Sequence, residues 1–178
     1  MPKAENRKLK IASGYSLIET VVYAAILATL AIFVVNTLII SFKAFNQGRT
    51  NRRIVIDAET ALERIVRESR MASSVDEAQS IFDSSQSNLV LNSQVSAEDA
   101  ASIVKKFFIS GGRLAFQEGA GSARFLTAPN TSVSSFVVSK SDSAHSQSVK
   151  VSLVLVAGVG SSVTSRSFYT SAVLRGGY

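Results

Sequence analysis

Gly14-Tyr15-Ser16-Leu17-Ile18-Glu19-Thr20 and the apolar run behind it decide the fold of this chain. Residues 21–42 contain no charged side chain, and Asn36 and a few hydroxyl groups are their only polar side chains. A helix of about 20 apolar residues spans a hydrocarbon core of ~30 Å, and a helix satisfies its own backbone groups in lipid. The sequence therefore predicts a transmembrane helix over about residues 20–42.

Glu19 is the one ionisable side chain at the edge of this apolar run. No basic residue lies near it within the segment. Because a carboxylate at membrane depth is costly, such a group normally has a partner or a function. We therefore expect a role for Glu19.

The N-terminal residues resemble the class III signal of type IV pilins and pseudopilins. A short basic leader ends in Gly14 and is followed by an aromatic residue, then Ser16-Leu17-Ile18-Glu19 and an apolar helix. The resemblance implies that prepilin peptidase cleaves between Gly14 and Tyr15 and methylates Tyr15. It also implies that Glu19 pairs with the N-terminal amine of a neighbouring subunit during assembly. Tyr15 departs from the phenylalanine that is commoner in the family.

Two other kinds of apolar N-terminal segment fit less well. A secretory signal has an apolar core of only about 7–15 residues with a small-residue cleavage site after it. An ordinary uncleaved anchor gives no reason for Glu19.

Basic residues flank the span equally, so the positive-inside rule does not set its orientation. They are Lys3, Arg7, Lys8 and Lys10 before it, and Lys43, Arg49, Arg52 and Arg53 after it.

Composition limits the function classes. The 178 residues allow one modest domain beside an anchor. The absence of cysteine excludes disulfides, thiol nucleophiles and thiolate metal sites. The formal net charge is +6, of which residues 1–14 supply +3, so the remaining +3 is too small to argue for nucleic-acid binding by itself.

A helical period continues beyond the span. Apolar and small residues recur at steps of three and four, and charged residues occupy the other face. The first set is Ile54, Ala58, Ala61, Leu62, Ile65, Ser69 and Ala72; the second is Arg53, Asp57, Glu59, Glu63, Arg64, Arg67 and Glu68. Gly48 costs a helix about 1 kcal/mol relative to alanine but is not expected to end it. We predict one helix over residues 15–73, membrane-spanning in its first half and amphipathic in its second.

Residues 74–178 show a period of two with frequent turn residues, which predicts a β-rich domain. The predicted strands are residues 88–91, 103–110, 113–117, 124–127, 133–138, 149–156 and 167–174. Gly111-Gly112 predicts a tight hairpin, since such turns need positive φ. Lys105-Lys106 is placed at a sheet edge, where charge discourages edge pairing. The expected fold is α+β, with the amphipathic half-helix packed on an antiparallel sheet.

Two more segments are similar to minor pilins and minor pseudopilins of the J/W type, namely residues 65–72 and 169–175. Asn36 stands where many major pilins have a helix-kinking proline, and the cysteine pair of many major pilins is absent. Both departures favour a minor subunit. Glu19 argues against the pseudopilin subclass that lacks this glutamate and caps the filament tip.

No constellation of residues predicts catalysis. His145 is the only histidine and lies near Asp142 in a predicted hairpin loop, but no serine has a nucleophile-elbow glycine pattern. A single histidine also lacks a second soft metal ligand. We expect no enzyme activity, no metal and no cofactor.

The expected function is that of a structural subunit of a type IV pilus or a type II secretion pseudopilus. The resemblance implies a single-pass protein of a bacterial inner membrane, with its β-rich domain outside the cytoplasm. Its partners are then other pilin or pseudopilin subunits, prepilin peptidase and membrane lipid. One alternative is a competence-type pilin or adhesin whose β-domain binds DNA or a surface, and the other is an anchored domain that never polymerises. The basic residues available for DNA are Arg113, Arg124, Lys140, Lys150 and Arg166.

Overall fold

A computed structural model describes residues 16–94, 102–143, 146–159 and 162–174. The described residues form one long helix, α1 (Leu17–Met71), and eight strands. The strands are β1 (Ser74–Val75), β2 (Leu89–Gln94), β3 (Ser102–Ser110), β4 (Arg113–Glu118), β5 (Arg124–Phe125), β6 (Thr131–Ser143), β7 (Ser146–Val159) and β8 (Ser162–Val173). The predicted α+β fold is confirmed. The chain divides into two compact units between Ala44 and Phe45, and α1 contributes to both.

The first sheet contains β1 to β5 in sequence order, each strand antiparallel to the next. Its central hairpin joins β3 to β4 with Ser110 opposite Arg113. Gly111 and Gly112 form the turn with φ of 56° and 71°. Glycine adopts these left-handed angles without a Cβ penalty, so the predicted Gly-Gly turn is confirmed.

The second sheet is the antiparallel meander β6–β7–β8. We expected one sheet, and the structure has two because other backbone takes the free edge of β6. Asp83 donates its N–H to the carbonyl of Val138, and Ser87 donates to that of Phe136. The segment that precedes β2 therefore satisfies backbone carbonyl groups on the outer edge of β6.

The core lies between the second part of α1 and the inner faces of both sheets. The helix buries Ile54, Ala58, Ala61 and Ile65, all at 0–1% exposure, as the helical period predicts. The sheets contribute Leu89, Leu91, Phe107, Leu114, Phe136, Val151, Leu153 and Leu155 to the same cluster. Full burial of each large apolar side chain stabilises the fold by about 1.5–3 kcal/mol. Small Ala58 and Ala61 occupy helix positions that are fully covered.

Two charged residues lie on the inside, contrary to the sequence prediction. Glu68 was assigned to the exposed face of the helix, but it is 2% exposed. Lys105 was assigned to a sheet edge, but β3 pairs with β2 on one side and β4 on the other. The two side chains compensate each other, since Lys105 Nζ lies 2.5 Å from Glu68 Oε2. A buried charge is tolerated when it is paired in this way.

Candidate functional site

The N-terminal part of α1, up to Ala44, presents apolar side chains that nothing in the described chain covers. Their exposed fractions run from 47% at Ile39 to 82% at Leu17. An 18-residue window of this helix has a mean hydropathy of 2.4, and none of it is buried. Among the described residues this is the one helix long and apolar enough to cross a membrane. That property is compatible with a single-pass membrane protein.

The threonine hydroxyl groups in this segment bond to backbone carbonyls of the helix itself. Thr29 donates to the carbonyl of Ala25 at 2.7 Å, and Thr37 donates to that of Phe33 at 2.8 Å. A hydroxyl without a partner would cost free energy in an apolar surrounding. These local bonds remove most of that cost, so the threonines do not prevent insertion in lipid.

Glu19 lies in the first turn of α1, where the helix dipole is positive and favours a carboxylate. The carbonyl of Ser16 accepts the N–H groups of Glu19 at 2.9 Å and of Thr20 at 3.2 Å, which starts the helix. The hydroxyl of Tyr23, one turn further on, donates to Glu19 Oε1 at 3.4 Å. No Lys or Arg of the described ranges forms an ion pair with Glu19. The half-exposed carboxylate thus retains acceptor capacity for a cation from outside those ranges.

Three residues singled out in the sequence lie outside the described residues. They are Gly14 and Tyr15 at the expected cleavage site, and His145 in the expected hairpin loop between β6 and β7. Cleavage after Gly14 and methylation of Tyr15 stay predictions.

A buried ionic contact joins α1 to the first sheet. Besides Lys105, the Glu68 carboxylate contacts Arg64, whose Nε lies 2.9 Å from Oε1. The Arg64 guanidinium also lies over the Phe116 ring of β4, 4.8 Å from its centroid. Glu118 approaches Lys105 at 3.8 Å. Ion pairs, a hydrogen bond and a cation–π contact all form at this point between α1 and the first sheet. Together they oppose sliding of the helix along the sheet.

Sequence reasoning missed this contact, although a signal for it exists. Ala61, Ile65, Glu68 and Ala72 follow steps of four, three and four, which places Glu68 on the core-facing side. Only its charge had assigned it to the exposed set. Arg64 and Glu68 are four residues apart on the helix, a spacing at which opposite charges can pair, and they form the contact described above.

The basic residues considered for nucleic acid are distributed over several surfaces. Arg113 stacks on Phe125 at 4.0 Å and donates from Nε to the carbonyl of Thr127 at 2.9 Å. Lys140 forms ion pairs with Asp142 and Glu77, and hydrogen bonds to these two carboxylates raise the pKa of its ammonium group above the ordinary value. Both side chains are therefore engaged within the fold.

The other three basic residues are exposed but separate. Arg124 lies on β5 of the first sheet, whereas Lys150 and Arg166 belong to the second sheet. Arg166 stands opposite Leu155, five residues along β7 from Lys150. Since side chains alternate along a strand, an odd separation places these two on opposite faces. The structure does not bring the five basic residues together on one surface.

In the described part of the chain, two of the open grooves along the second part of α1 lie between the helix and a sheet. One, of about 660 Å³, lies beside β4 and β5 and includes Thr60, Phe116 and Phe125. The other, of about 610 Å³, lies beside β8 and includes Leu62, Val66 and Tyr169. In the described part of the chain, no group of three or more His, Asp or Glu side chains could hold a metal ion. These grooves contain no constellation of acid, base and nucleophile.

Comparison of the chain with protein-family models, curated proteins and solved structures finds no match. The distinctive features of the described residues are an uncovered apolar helix and, in the first turn of that helix, a carboxylate that forms no ion pair with a described residue.

Proposed function

We propose that this protein is a structural subunit of a membrane-stored filament, either a type IV pilus or a type II secretion pseudopilus. The observation that carries the proposal is the uncovered apolar part of α1 with Glu19 in its first turn. In a bilayer, lipid covers the apolar side chains. In a filament, the corresponding helices of other subunits cover them instead, which conserves the buried apolar area.

Glu19 provides the selectivity of this assembly. After cleavage between Gly14 and Tyr15, the new α-amine is a cation that must enter the same apolar surrounding as the carboxylate. Each group alone is costly there, and a neighbouring subunit that brings the amine to Glu19 neutralises both. The hydrogen bond from Tyr23 supports the pairing because it restricts the position of the carboxylate.

The remainder of the chain fits a subunit with its own folded domain. Residues from Phe45 onward form a separate compact unit with its own core. In a filament this folded unit would remain on the outside. The resemblance of residues 14–20 to prepilin signals supports an orientation with this unit outside the cytoplasm. The features that favour a minor subunit are the lack of cysteine and the non-proline Asn36.

The first test is the mass of the N-terminal peptide of the native membrane-bound protein. We expect a peptide that begins at Tyr15 and carries one added methyl group. A retained leader, or cleavage at another bond, contradicts the proposal and favours a plain anchored domain that never polymerises.

The second test replaces Glu19 with glutamine, which keeps the hydrogen bond to Tyr23 but removes the charge. The N-terminal amine of the neighbour then lacks a counter-ion, which costs about 3–5 kcal/mol, so incorporation should fall at least about a hundredfold. Membrane insertion should not change. Thr20→Ala is the matched control at the adjacent position, and incorporation of Glu19→Gln at the level of this control refutes the pairing role.

A further inference from the structure

Three exposed arginines form a stripe on α1 shortly after its apolar part ends. Arg49, Arg52 and Arg53 are three and four residues apart, so their side chains share one side of the helix. That side points away from the residues that the helix buries in the core. Together with Ile56 and Asp57, the three arginines line an open groove of about 390 Å³. We call Arg49, Arg52 and Arg53 the arginine stripe.

The charge of the arginine stripe is not neutralised within the described residues. None of the three guanidinium groups forms an ion pair there. Asp57 follows Arg53 by four residues, a spacing at which the two charges could pair. Asp57 Oδ2 instead accepts the N–H of Ala128 at 3.3 Å, so this carboxylate contacts the connection between β5 and β6. The arginine stripe therefore remains available to an anion from outside the chain.

The stripe is directed toward the apolar end of α1. Side chains of an α-helix point back toward its N-terminus. Arg49 follows this rule, since its Cζ lies over the ring of Phe45 one turn earlier, 5.9 Å from the centroid. Arg49 follows Phe42, the last residue of the uncharged run, by about 10 Å of helix. The headgroup layer on each side of a hydrocarbon core is about 5–8 Å thick, and a long arginine side chain extends into it.

We propose that the arginine stripe binds the phosphate group of an anionic phospholipid, at the surface where α1 leaves the membrane. A planar guanidinium binds a phosphate through two parallel hydrogen bonds. Phe45 is 66% exposed and lies on the membrane side of Arg49. The order along the helix, first an apolar ring and then the arginines, therefore matches the order of acyl chain and phosphate in a lipid.

This inference rests on the proposed function, which places the first part of α1 in a membrane and the folded unit outside the cytoplasm. The positive-inside rule disfavours basic residues close to the span on that side. Three uncompensated arginines at this position are therefore unexpected for a plain anchor. A lipid phosphate supplies the counter-ion that the described residues do not.

A lipid fits the arginine stripe better than free phosphate or nucleic acid. Free phosphate uses the guanidinium groups but makes no use of the exposed Phe45 ring beside Arg49. A nucleic acid is a continuous polyanion, and one that follows the helix further would meet exposed Glu59 and Glu63, which repel it.

The test is native mass spectrometry of the full-length chain in an uncharged detergent, titrated with phosphatidylglycerol or phosphatidylcholine of the same acyl chains. Both lipids contain a phosphate, but only the first has a net negative headgroup. We expect the chain to bind phosphatidylglycerol at least about tenfold more tightly. Arg49→Gln with Arg52→Gln and Arg53→Gln should weaken that binding about a hundredfold, because each arginine near anionic lipid contributes about fivefold.

The matched control removes the same charge from three other exposed arginines, by Arg67→Gln with Arg70→Gln and Arg124→Gln. Arg67 and Arg70 lie at least about 20 Å further along α1 than the stripe, and Arg124 lines a groove together with Arg67. Since the Debye length is ~10 Å at 0.1 M salt, this control should bind phosphatidylglycerol like wild type. An equal loss in the control, or equal binding of the two lipids by the wild-type chain, refutes the lipid site.

Inorganic phosphate and a short DNA duplex serve as competitors of the bound lipid. We expect neither to displace phosphatidylglycerol when present at the same concentration as the lipid. Displacement by phosphate indicates a site for a free anion, and displacement by DNA indicates a nucleic-acid surface. Either result overturns the assignment to lipid.

The processing of the N-terminus distinguishes failure of this inference from failure of the filament proposal. Correct cleavage before Tyr15 without selective binding of phosphatidylglycerol refutes the lipid site alone. Selective binding that depends on the arginine stripe, in a chain that is not cleaved there, refutes the filament proposal and retains the lipid site.

Discussion

Removal of the Glu68 carboxylate should strongly destabilise the unit that begins at Phe45. Glu68 is 2% exposed, and Lys105, which contacts it at 2.5 Å, keeps only 11% of its side chain exposed. Glu68→Ala leaves Lys105 buried with Glu118 at 3.8 Å as its remaining carboxylate. The loss of one partner of a buried pair costs about 3–5 kcal/mol, and the distant Glu118 favours the lower end of that range.

Urea unfolding of the full-length chain in detergent micelles, followed by far-ultraviolet circular dichroism, measures this loss. With a slope of about 1–3 kcal/mol per molar urea, a loss of about 3 kcal/mol lowers the midpoint by about 1–3 M. Glu63→Ala is the matched control, since it removes the same side chain from an exposed position of the same helix. Its effect should remain within about 0.5 kcal/mol.

A double variant distinguishes the net contribution of the ion pair to stability from the cost of burying one unpaired charge. Glu68→Leu with Lys105→Met replaces both charges by apolar groups, which is often neutral or stabilising by about 1–4 kcal/mol. We expect its midpoint at or above that of wild type. If Glu68→Ala is as stable as the Glu63→Ala control, or if the double variant is less stable than Glu68→Ala, then the Glu68 carboxylate does not compensate a buried Lys105 charge.

Two further predictions concern glycines. Gly112→Val should destabilise the β3–β4 hairpin by about 1–2 kcal/mol, because φ is 71° there and an added Cβ meets no atom within 4 Å, so the cost is conformational. Gly111→Asn is the control, since asparagine tolerates this turn, and equal unfolding midpoints for the two variants would contradict the argument. Gly48→Ala should stabilise α1 by about 1 kcal/mol, because a Cβ at that position also meets no atom within 4 Å. Slower hydrogen exchange of the amides around residue 48 measures this gain, and unchanged exchange would show that the glycine does not weaken the helix.

The strong local signals in the sequence led to correct predictions. The apolar run and the continuing three-four period predicted α1, whose observed range of Leu17–Met71 passes through Gly48 without interruption. The Gly111-Gly112 pair predicted the tight hairpin turn, and in the structure Ser110 stands opposite Arg113 beside it. These features depend on neighbouring residues, for which backbone preference and spacing are sufficient.

The predictions that failed needed contacts between residues distant in sequence. Charge alone assigned Glu68 to the solvent, although its spacing matched the core face, and the compensating Lys105 lies 37 residues away. The number of sheets depended on the segment around Asp83 and Ser87 bonding to β6, about 50 residues later. Whether the five basic residues share one surface was left open by the sequence, and it also depended on such contacts, namely Arg113 with Phe125 and Lys140 with Glu77.

The sequence by itself determined the apolar helix, the position of Glu19 at its beginning, the change from a helical to a strand period and the hairpin turn. Each of these is set by steric preference or hydrophobic spacing over a few residues. Only the tertiary structure decided which charged side chains are buried and which remain exposed along α1. The physical reason is that the cost of a charge depends on the partner and the burial that folding supplies, and neither is a property of the residue alone.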